Sequence, residues 1–259
     1  MKMFEAKNEV NNIVQFIRNY YKDNNLGGAI IGISGGKDSA VVAALFTKAL
    51  GCENVIGVTM PCHSKYEDRM DAQLISDYYG FELINFDITF TYDSFIKEVS
   101  KLGDFSENNL TNSNINLKPR LRMSTLYYLA ALYSSIKDKT YIVAGTSNKC
   151  ELFVGYFTKG GDSVYDISVL TDYTVDEVIK IGEYLKVPNK ILYKNPNDGL
   201  SNLNDEDKLG VKYSEIADYM DNKILNEETM KKIFELNKNA KHKFVIPTYR
   251  RNEVIDEKR

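Results

Sequence analysis

Short apolar runs alternate with helix-forming segments along this chain, and that alternation constrains the fold more than any other feature. The runs predicted as buried strands are 28–34, 54–60, 82–88 and 140–145. The segments predicted as helices are 5–22, 38–50, 67–79, 92–101, 118–137, 170–186 and 211–222. Strands separated by helices form parallel sheets, because each crossover needs a helix to return the chain. We therefore predict an α/β fold with a single doubly wound, Rossmann-like parallel sheet flanked by helices.

The remaining stretches have no clear periodicity. The Asn-rich stretch 104–116 is predicted as a connector, and 188–208 as a long loop. Loops of that length inside a compact domain are usually functional or mobile. Because the sequence contains no internal repeat and no linker between two cores, it predicts one domain over residues 1–259.

Composition excludes several classes of protein. The chain has 33 Lys and Arg against 36 Asp and Glu, a net charge of −3, which argues against nucleic acid held by bulk electrostatics. No apolar run approaches the ~18 residues of a membrane span, and the N-terminus lacks the apolar stretch of a signal peptide. The three cysteines form no C-x-x-C pair. We therefore expect a reduced, cytoplasmic protein without a membrane partner.

The stretch GISGGKDSAV at 32–41 lies between a predicted strand and a predicted helix. Its paired glycines allow a tight turn that directs backbone N–H groups toward one point, at the positive end of the following helix. Such a turn is a phosphate cradle. It fails the Walker A pattern, because Ile31 stands where that pattern has Gly, and Asp38 where it has Ser or Thr.

Asp38 is the informative difference from a Walker A loop. A carboxylate beside bound phosphates repels them unless a divalent cation lies between the two. Asp38 therefore predicts Mg²⁺ on the phosphates, with the Ser34 and Ser39 hydroxyls as donors. The alternative is that Asp38 only caps the helix.

The sequence S-G-G-K-D-S resembles the signature loop of the ATP pyrophosphatases, which cleave ATP between the α- and β-phosphates and transfer AMP to a substrate oxygen. In that family the loop holds the departing pyrophosphate. Met60, at the end of the second strand, is a candidate for the adenine pocket or for ordinary packing. The ATP-binding set that the resemblance implies is Gly32, Ile33, Ser34, Gly35, Gly36, Lys37, Asp38, Ser39, Met60, Thr146 and Asn197.

Later segments resemble the NAD synthetases within that family. They are GTSNKCELFVGYFTKGGD at 145–162, NLKPRLRM at 116–123, DAQ at 71–73, NDEDKLG at 204–210 and His242-Lys243 before Pro247. The resemblance implies an adenine nucleotide α-hydrolase-like fold. It also implies ammonia-dependent amidation of deamido-NAD with ATP, giving NAD, AMP and pyrophosphate.

The resemblance also implies roles for individual residues. Glu151 joins Asp38 as a catalytic metal ligand. From the residues alone, Glu151 is a second carboxylate that could complete a Mg²⁺ site with Asp38, and the alternative is a glutamate that interacts with a helix dipole. The deamido-NAD set that the resemblance implies is Arg120, Lys159, Asp166, His242 and Lys243. From the residues alone, Arg120 with its basic neighbours Lys118 and Arg122 is a phosphate clamp or a solvated basic helix end.

Two positions depart from the pattern of the family. Many relatives have a lysine that contacts ATP phosphates where this chain has Val175, and Ser or Thr where it has Asn197. Lys37 or Lys149 is a candidate source of the missing charge.

We expect small-molecule substrates and a second copy of the chain as partners. Aromatic and apolar residues form a stripe on the 118–137 helix, as a core or a subunit interface, and members of the family are homodimers. The stripe is Met123, Leu126, Tyr127, Tyr128 and Tyr133. Ammonia is the expected direct donor, with no glutaminase domain in the chain, although a separate glutaminase could supply the ammonia.

Two other functions share the loop. A tRNA-modifying sulfurtransferase would favour a basic surface and paired reactive cysteines, and Cys150 beside Glu151 is the residue that bears on it. A nucleotide sensor without turnover finds support in the valine at position 175.

Overall fold

The computed structural model describes residues 4–64, 66–194 and 204–249. The strands are β1 (Leu26–Gly32), β2 (Val55–Thr59), β3 (Glu82–Asn85), β4 (Thr140–Gly145) and β5 (Ile167–Ser168). They form one parallel sheet in the order β3-β2-β1-β4-β5. The chain moves outward from β1 to β3 and then returns to the other side of β1, which is doubly wound topology. The predicted fold class is confirmed.

Helices connect and cover the strands. In the first half of the chain they are α1 (Ala6–Asp23), α2 (Lys37–Leu50), α3 (Tyr66–Tyr79), α4 (Thr89–Val99) and α5 (Glu107–Lys137). In the second half they are α6 (Lys149–Val154), α7 (Val175–Leu185), α8 (Asn189–Leu192), α9 (Asp205–Leu209), α10 (Tyr213–Met220) and α11 (Glu227–Phe244).

The sheet is buried on both faces because its central strand is apolar at successive positions. On β1, Ala29 and Ile31 pack with α1, α2, α3 and α7, whereas Ile30 packs with α5. This alternation follows from the two-residue period of a strand. The buried face of α1 is the predicted one, with Val10, Ile13, Val14, Ile17 and Tyr21.

The prediction of a connector over 104–116 was wrong. Helix α5 begins at Glu107, where the Ser106 side chain accepts a hydrogen bond from the Asn109 N–H. Inside the helix, Thr111 and Asn116 donate side-chain hydrogen bonds to carbonyls four residues earlier. Polar residues of this kind mask helical periodicity, although they are compatible with a helix once its start is capped.

Other boundaries also differ from the prediction. The segment 188–208 contains α8 and α9, and its residues 195–203 lie outside the described part of the chain. The helix predicted over 170–186 begins at Val175, where Thr174 and Glu177 form a capping box. The two-residue strand β5 and the helix α11 have no counterpart in the prediction.

Some of the helices that follow β4 in the sequence pack together, apart from the sheet. Helices α6, α10 and α11 form a separate apolar cluster. Helix α11 passes so close to Gly155 that a Cβ there would overlap the Cβ of Ala240. The Lys243 ammonium donates hydrogen bonds to the carbonyls of Gly155 (2.7 Å) and Phe157 (2.8 Å). The C-terminal helix is thereby fixed to the loop that follows α6.

Candidate active site

The glycine loop lies where the strand order of the sheet reverses, between the carboxyl ends of β1 and β4. Two serines hold it in shape. The Ser34 N–H donates to Ser39 Oγ (3.3 Å), Ser39 Oγ donates to the Gly36 carbonyl (3.0 Å), and the Gly36 N–H donates to Ser34 Oγ (3.2 Å). These bonds organise the loop at the N-terminus of α2, where a helix attracts anions.

Gly35 allows the loop to lie against the start of α3. Its φ is +80°, and a Cβ at this position would be 2.6 Å from the Asp68 carbonyl oxygen. A side chain would therefore be strained by the backbone conformation and would collide with α3. The first glycine of the S-G-G sequence is thus needed for a turn and a close approach to α3.

Asp38 lies at the start of α2 and is held by groups from two segments. The Lys37 ammonium is 3.6 Å from its Oδ2, and the Asn148 amide donates to its Oδ1 at 3.1 Å. Lys37 is itself buried, with 6% of its surface exposed. The structure thus places a cation within the glycine loop, whereas Lys149 lies 4.0 Å from the exposed Asp172.

Glu151 completes a capping box at the start of α6. Its backbone N–H donates to the Asn148 side chain (3.1 Å), and its Oε2 accepts from the Asn148 N–H (3.0 Å). Burial, and then the negative charge of Asp38, raise the pKa of Glu151 well above its usual range. Asn148 therefore joins both carboxylates. Sequence reasoning missed Asn148, although Asn followed by Glu three residues later is a recognisable capping signal.

The donor set of these two carboxylates fits Mg²⁺. Within the described residues, no group of three or more His, Cys, Asp or Glu side chains is arranged to hold a metal ion. Mg²⁺ typically binds one or two carboxylates together with substrate phosphates. Asp38 and Glu151, beside the glycine loop at the start of α2, fit that pattern, and a bound cation would relieve the repulsion by Asp38 that contributes to the raised pKa of Glu151.

A cleft opens beside the loop, between the sheet and α5. Its walls include Gly32, Ile33 and Ser34 of the loop region, with Met60 after β2 and Thr146 after β4. The structure thus brings these predicted ATP-binding residues together. Asn197 lies outside the described residues.

The basic residues at 118–122 do not act as one cluster. The Lys118 ammonium lies over the Tyr92 ring, 5.5 Å from its centroid. Arg122 lines the cleft and donates to the Met60 carbonyl (3.3 Å). Arg120 instead donates to the Lys159 carbonyl, at 3.3 and 3.4 Å. The helix thus directs Arg122 to the cleft and Arg120 to the loop after α6.

The predicted dinucleotide-binding residues form a chain of contacts. Arg120 contacts the backbone of Lys159, and the Lys159 ammonium donates to the His242 carbonyl (2.8 Å). Lys243 is fixed to the loop after α6, as described above. The structure therefore brings Arg120, Lys159, His242 and Lys243 together, although they come from three separate parts of the sequence.

Asp166 is held, within the described part of the chain, by residues other than those four. Its Oδ1 accepts from the Tyr127 hydroxyl (3.1 Å), and its Oδ2 accepts from the Val143 N–H (2.8 Å). The carboxylate thus links α5 to β4 just before β5. Tyr127 was predicted only as part of an apolar stripe, and this bond to Asp166 was missed.

Asp162 is a further carboxylate of the cleft that sequence reasoning did not single out. It accepts a hydrogen bond from the Thr158 N–H at 2.8 Å. Burial raises the pKa of this side chain above its ordinary value. An acid with a raised pKa that lines a cleft is a candidate for proton transfer.

Val175 and Cys150, the residues on which the two alternative functions depend, are both buried. Val175 is buried at the start of α7, in the same apolar cluster as Cys150. Burial raises the pKa of Cys150 to about 11, which leaves the thiol protonated and unreactive. This disfavours a sulfurtransferase. Within the described residues, no helix combines the length and apolar character that a membrane span requires.

The sheet order, the loop after β1 and the two carboxylates beside it define a nucleotide-binding α/β protein of the adenine nucleotide α-hydrolase class. Residues 9–253 match the family model described as NAD synthase. An NH3-dependent NAD(+) synthetase of Carboxydothermus hydrogenoformans is 36% identical, over 94% of this chain and 96% of its own length. The chain belongs to the NAD synthase family.

Two solved structures share this fold along nearly the whole chain. An NMN synthetase from Francisella tularensis superposes with a TM-score of 0.86 at 31% identity, covering 96% of this chain and 99% of its own. An NH3-dependent NAD synthetase from Campylobacter jejuni gives 0.78 at 26% identity, covering 96% and 100%.

Proposed function

We propose that this chain catalyses the ATP-dependent amidation of deamido-NAD by ammonia, giving NAD, AMP and pyrophosphate. The observation that carries the proposal is the pair of carboxylates, Asp38 and Glu151, beside a glycine loop at a helix N-terminus. Membership of the NAD synthase family directs this general ATP chemistry to a nicotinate dinucleotide.

The reaction needs two steps because ammonia cannot displace oxide from a carboxylate. First, a nicotinate carboxylate oxygen attacks the α-phosphorus of ATP, and the bond to the bridging oxygen breaks to release pyrophosphate. The N–H groups at the start of α2 stabilise the charge that builds on this leaving group. Then the nitrogen of ammonia attacks the carbonyl carbon, AMP departs with the electron pair of the C–O bond, and nitrogen loses one proton. The Asp162 carboxylate, which lines the cleft, suits the acceptance of that proton.

We also propose Asp38 and Glu151 as the residues that hold Mg²⁺. When bound, the ion would neutralise the phosphate oxygens. Asn148 orients both carboxylates, and Lys37 supplies a further positive charge in the loop. Lys37 accordingly takes the role left open by Val175, which is buried in an apolar cluster.

The group formed by Arg120, Lys159, His242 and Lys243 is the proposed binding surface for deamido-NAD. The two lysines donate to neutral carbonyls, so their positive charges remain available for the anionic groups of the substrate. Asp166 is proposed as the acceptor for ribose hydroxyls. The cleft lined by Met60 and Thr146 is the proposed binding site for ATP.

A second candidate substrate is nicotinate mononucleotide, whose amidation follows the same chemistry. The observation that favours it is the TM-score of 0.86 with an NMN synthetase. Comparing kcat/KM for the dinucleotide and the mononucleotide decides between them. If kcat/KM is at least tenfold higher for the mononucleotide, then nicotinate mononucleotide, and not deamido-NAD, is the substrate.

The central test is an incubation with ATP, Mg²⁺, ammonium and deamido-NAD. We expect NAD and AMP in equal amounts. ATP binding without any product would favour a nucleotide sensor instead. With glutamine in place of ammonium we expect no NAD, and an added glutaminase should restore it if a separate protein supplies ammonia.

We propose a homodimer that covers α5. Tyr128, Leu132 and Ile136 recur every fourth residue and are 67%, 40% and 62% exposed, so they form an apolar stripe on the outer face of this helix. Phe90, at the start of α4, is 84% exposed. Of the other residues of the predicted stripe, Leu126, Tyr127 and Tyr133 pack against the core, and Met123 lines the cleft.

A further inference from the structure

A cluster of ion pairs joins α3 to α8 and to the turn that follows α8. Its centre is Asp71 of α3, which is only 1% exposed. The Lys190 ammonium lies 2.7 Å from Asp71 Oδ1, and the Lys194 ammonium donates to Asp71 Oδ2 at 2.7 Å. Lys194 also donates to Asp68 Oδ1 at 2.8 Å, one turn earlier on α3. With two lysines against two aspartates, the cluster as a whole is neutral.

Asp71 by itself does not account for both lysines. A buried carboxylate needs one countercharge, and Lys190 supplies it. Lys194 is a second cation, and it reaches from Asp71 to Asp68. Burial lowers the pKa of Lys194, but its hydrogen bonds to Asp68 and Asp71 outweigh burial and raise the pKa above its ordinary value. Lys194 therefore stays charged and serves as the countercharge of Asp68.

Asp68 adjoins both the glycine loop and the cleft beside it. Its carbonyl oxygen faces Gly35, 2.6 Å from where a Cβ would stand. The residue lines the cleft together with Ser34 and Met60, and its side chain is 32% exposed. A carboxylate in such a place repels the phosphates of a nucleotide unless a positive charge lies close to it. Lys194 supplies that charge from the side of α8.

We propose that Lys194 is a positioning residue for ATP, which acts by holding and neutralising the Asp68 carboxylate at the edge of the cleft. Asp71 in turn fixes Lys194 from the buried side of α3. The inference rests on the proposed function, because it takes the cleft lined by Met60 and Thr146 as the ATP site. Through this cluster, the residue that follows α8 sets the charge of a cleft built on β1, β2 and α3.

The test is binding of α,β-methylene ATP with Mg²⁺, measured by isothermal titration calorimetry on the full chain. The α–β linkage of this analogue cannot be cleaved. Lys194→Met removes the positive charge but keeps an unbranched side chain of similar length. We expect a Kd about tenfold higher than in the wild type, the order of one unscreened charge near an anion. Adding Asp68→Asn to this variant should restore the Kd to within about twofold of the wild type, because the unpaired carboxylate is gone.

Two comparisons make the outcome specific to charge at the cleft. Lys223 also lies between two aspartates, 2.6 Å from Asp218 and 4.0 Å from Asp221, at the end of α10. Lys223→Met should therefore bind the analogue like the wild type. Raising the salt concentration from about 0.1 M to about 1 M shortens the Debye length from roughly 10 Å to roughly 3 Å. The deficit of Lys194→Met relative to the wild type should shrink accordingly.

Two results would overturn the inference while leaving the proposed function intact. One is wild-type affinity in Lys194→Met. The other is a loss of affinity that persists when Asp68→Asn is added, which would mean that Lys194 supports the fold and not the charge balance.

A single variant keeps the inference testable if Lys194→Met does not fold. Asp68→Asn leaves Lys194 in place with an excess positive charge, so the analogue should bind at least as tightly as to the wild type. Weaker binding to Asp68→Asn would contradict the inference. If the wild type itself binds no analogue, the assignment of the cleft to ATP fails, and this inference fails with it.

Discussion

At the scale of single residues, Asp38 is the side chain on which the proposed chemistry depends most. Asp38→Asn keeps the hydrogen bonding of the side chain but removes the charge that would hold a cation on the phosphates. We expect kcat for pyrophosphate release to fall at least 100-fold, the order of magnitude lost with a major electrostatic contact in a transition state. The melting temperature should change by only a few degrees.

The control for this variant is Asp172→Asn. Asp172 is 95% exposed and lies 4.0 Å from Lys149, so it tests the loss of an aspartate charge outside the loop. It should keep wild-type turnover. Undiminished turnover in Asp38→Asn would refute the metal role of that residue.

Glu151 makes stability depend on pH in the metal-free protein. Its pKa is raised in the folded state by burial and by Asp38, whereas the unfolded chain releases the proton near pH 4.3. The stability associated with the protonated form is therefore complete below about pH 4 and lost as the pH rises through the folded pKa. Glu151→Gln removes this dependence, so its stability advantage over the wild type should grow with pH.

Urea unfolding in EDTA between pH 5 and pH 8 measures this effect. We expect the advantage to grow by at least about 1.4 kcal/mol, the equivalent of one pKa unit. Glu177→Gln changes the equivalent glutamate of the capping box of α7 and is the control for altering such a box. A pH-independent difference between Glu151→Gln and the wild type would contradict the prediction.

How far the sequence determined the site can be seen from these residues. The loop could be predicted because it is contiguous, and its glycines and Asp38 have a direct chemical meaning. Asn148 and Asp162 could not be chosen so easily, because their roles depend on burial and on neighbours from distant segments. Tyr127 illustrates the same limit, since a tyrosine in an apolar stripe gives no sign of its hydroxyl partner.

At the scale of elements, the docking of α11 depends on Gly155. Its φ is +69°, and a Cβ would overlap that of Ala240. Gly160 is a matched control, with φ +74° and no atom within 4 Å of an added Cβ. Gly160→Ala should cost about 1–2 kcal/mol for the backbone conformation alone. Gly155→Ala should cost about 2 kcal/mol more, because it also overpacks the contact with α11.

Denaturant unfolding of the two variants separates these contributions. Equal losses would mean that α11 does not pack at Gly155 as described. Because α11 carries His242 and Lys243, Gly155→Ala should also raise the KM for deamido-NAD more than the KM for ATP.

The helices show which elements a sequence determines. Helix α1 was predicted with its whole buried face because its apolar residues have a strict helical period. The first turns of α5 were missed because Asn and Ser favour loops locally; the Ser106 cap and the side-chain hydrogen bonds of Thr111 and Asn116 make these residues compatible with a helix. Strand β5 has only two residues and is defined by its pairing with β4, which no local pattern encodes.

The exposed apolar residues Tyr128, Leu132 and Ile136 on α5 predict that the protein forms a homodimer. Leu132 lies at the centre of the stripe, and Leu132→Glu would place a charge in an apolar contact between two copies. We expect the wild type to have twice the 29.5 kDa of the chain by light scattering, and the variant to have the mass of one chain. Ile224→Glu is the control, because Ile224 is 96% exposed in a different region. A wild type that is monomeric at micromolar concentration would rule out this dimer.

We also expect dimer formation to affect substrate binding, because α5 carries proposed substrate-binding residues on the turns before Tyr128, Leu132 and Ile136. Arg120 contacts the loop of Lys159, and Tyr127 holds Asp166, so a partner that covers α5 would steady the dinucleotide-binding side of the site. The ATP side is built mainly on the loop after β1. The Leu132→Glu monomer should therefore show a KM for deamido-NAD raised about tenfold or more, with the KM for ATP nearly unchanged. Steady-state kinetics below and above the dissociation constant of the dimer measures this, and an equal rise in both constants would show that the charge disturbs the fold instead.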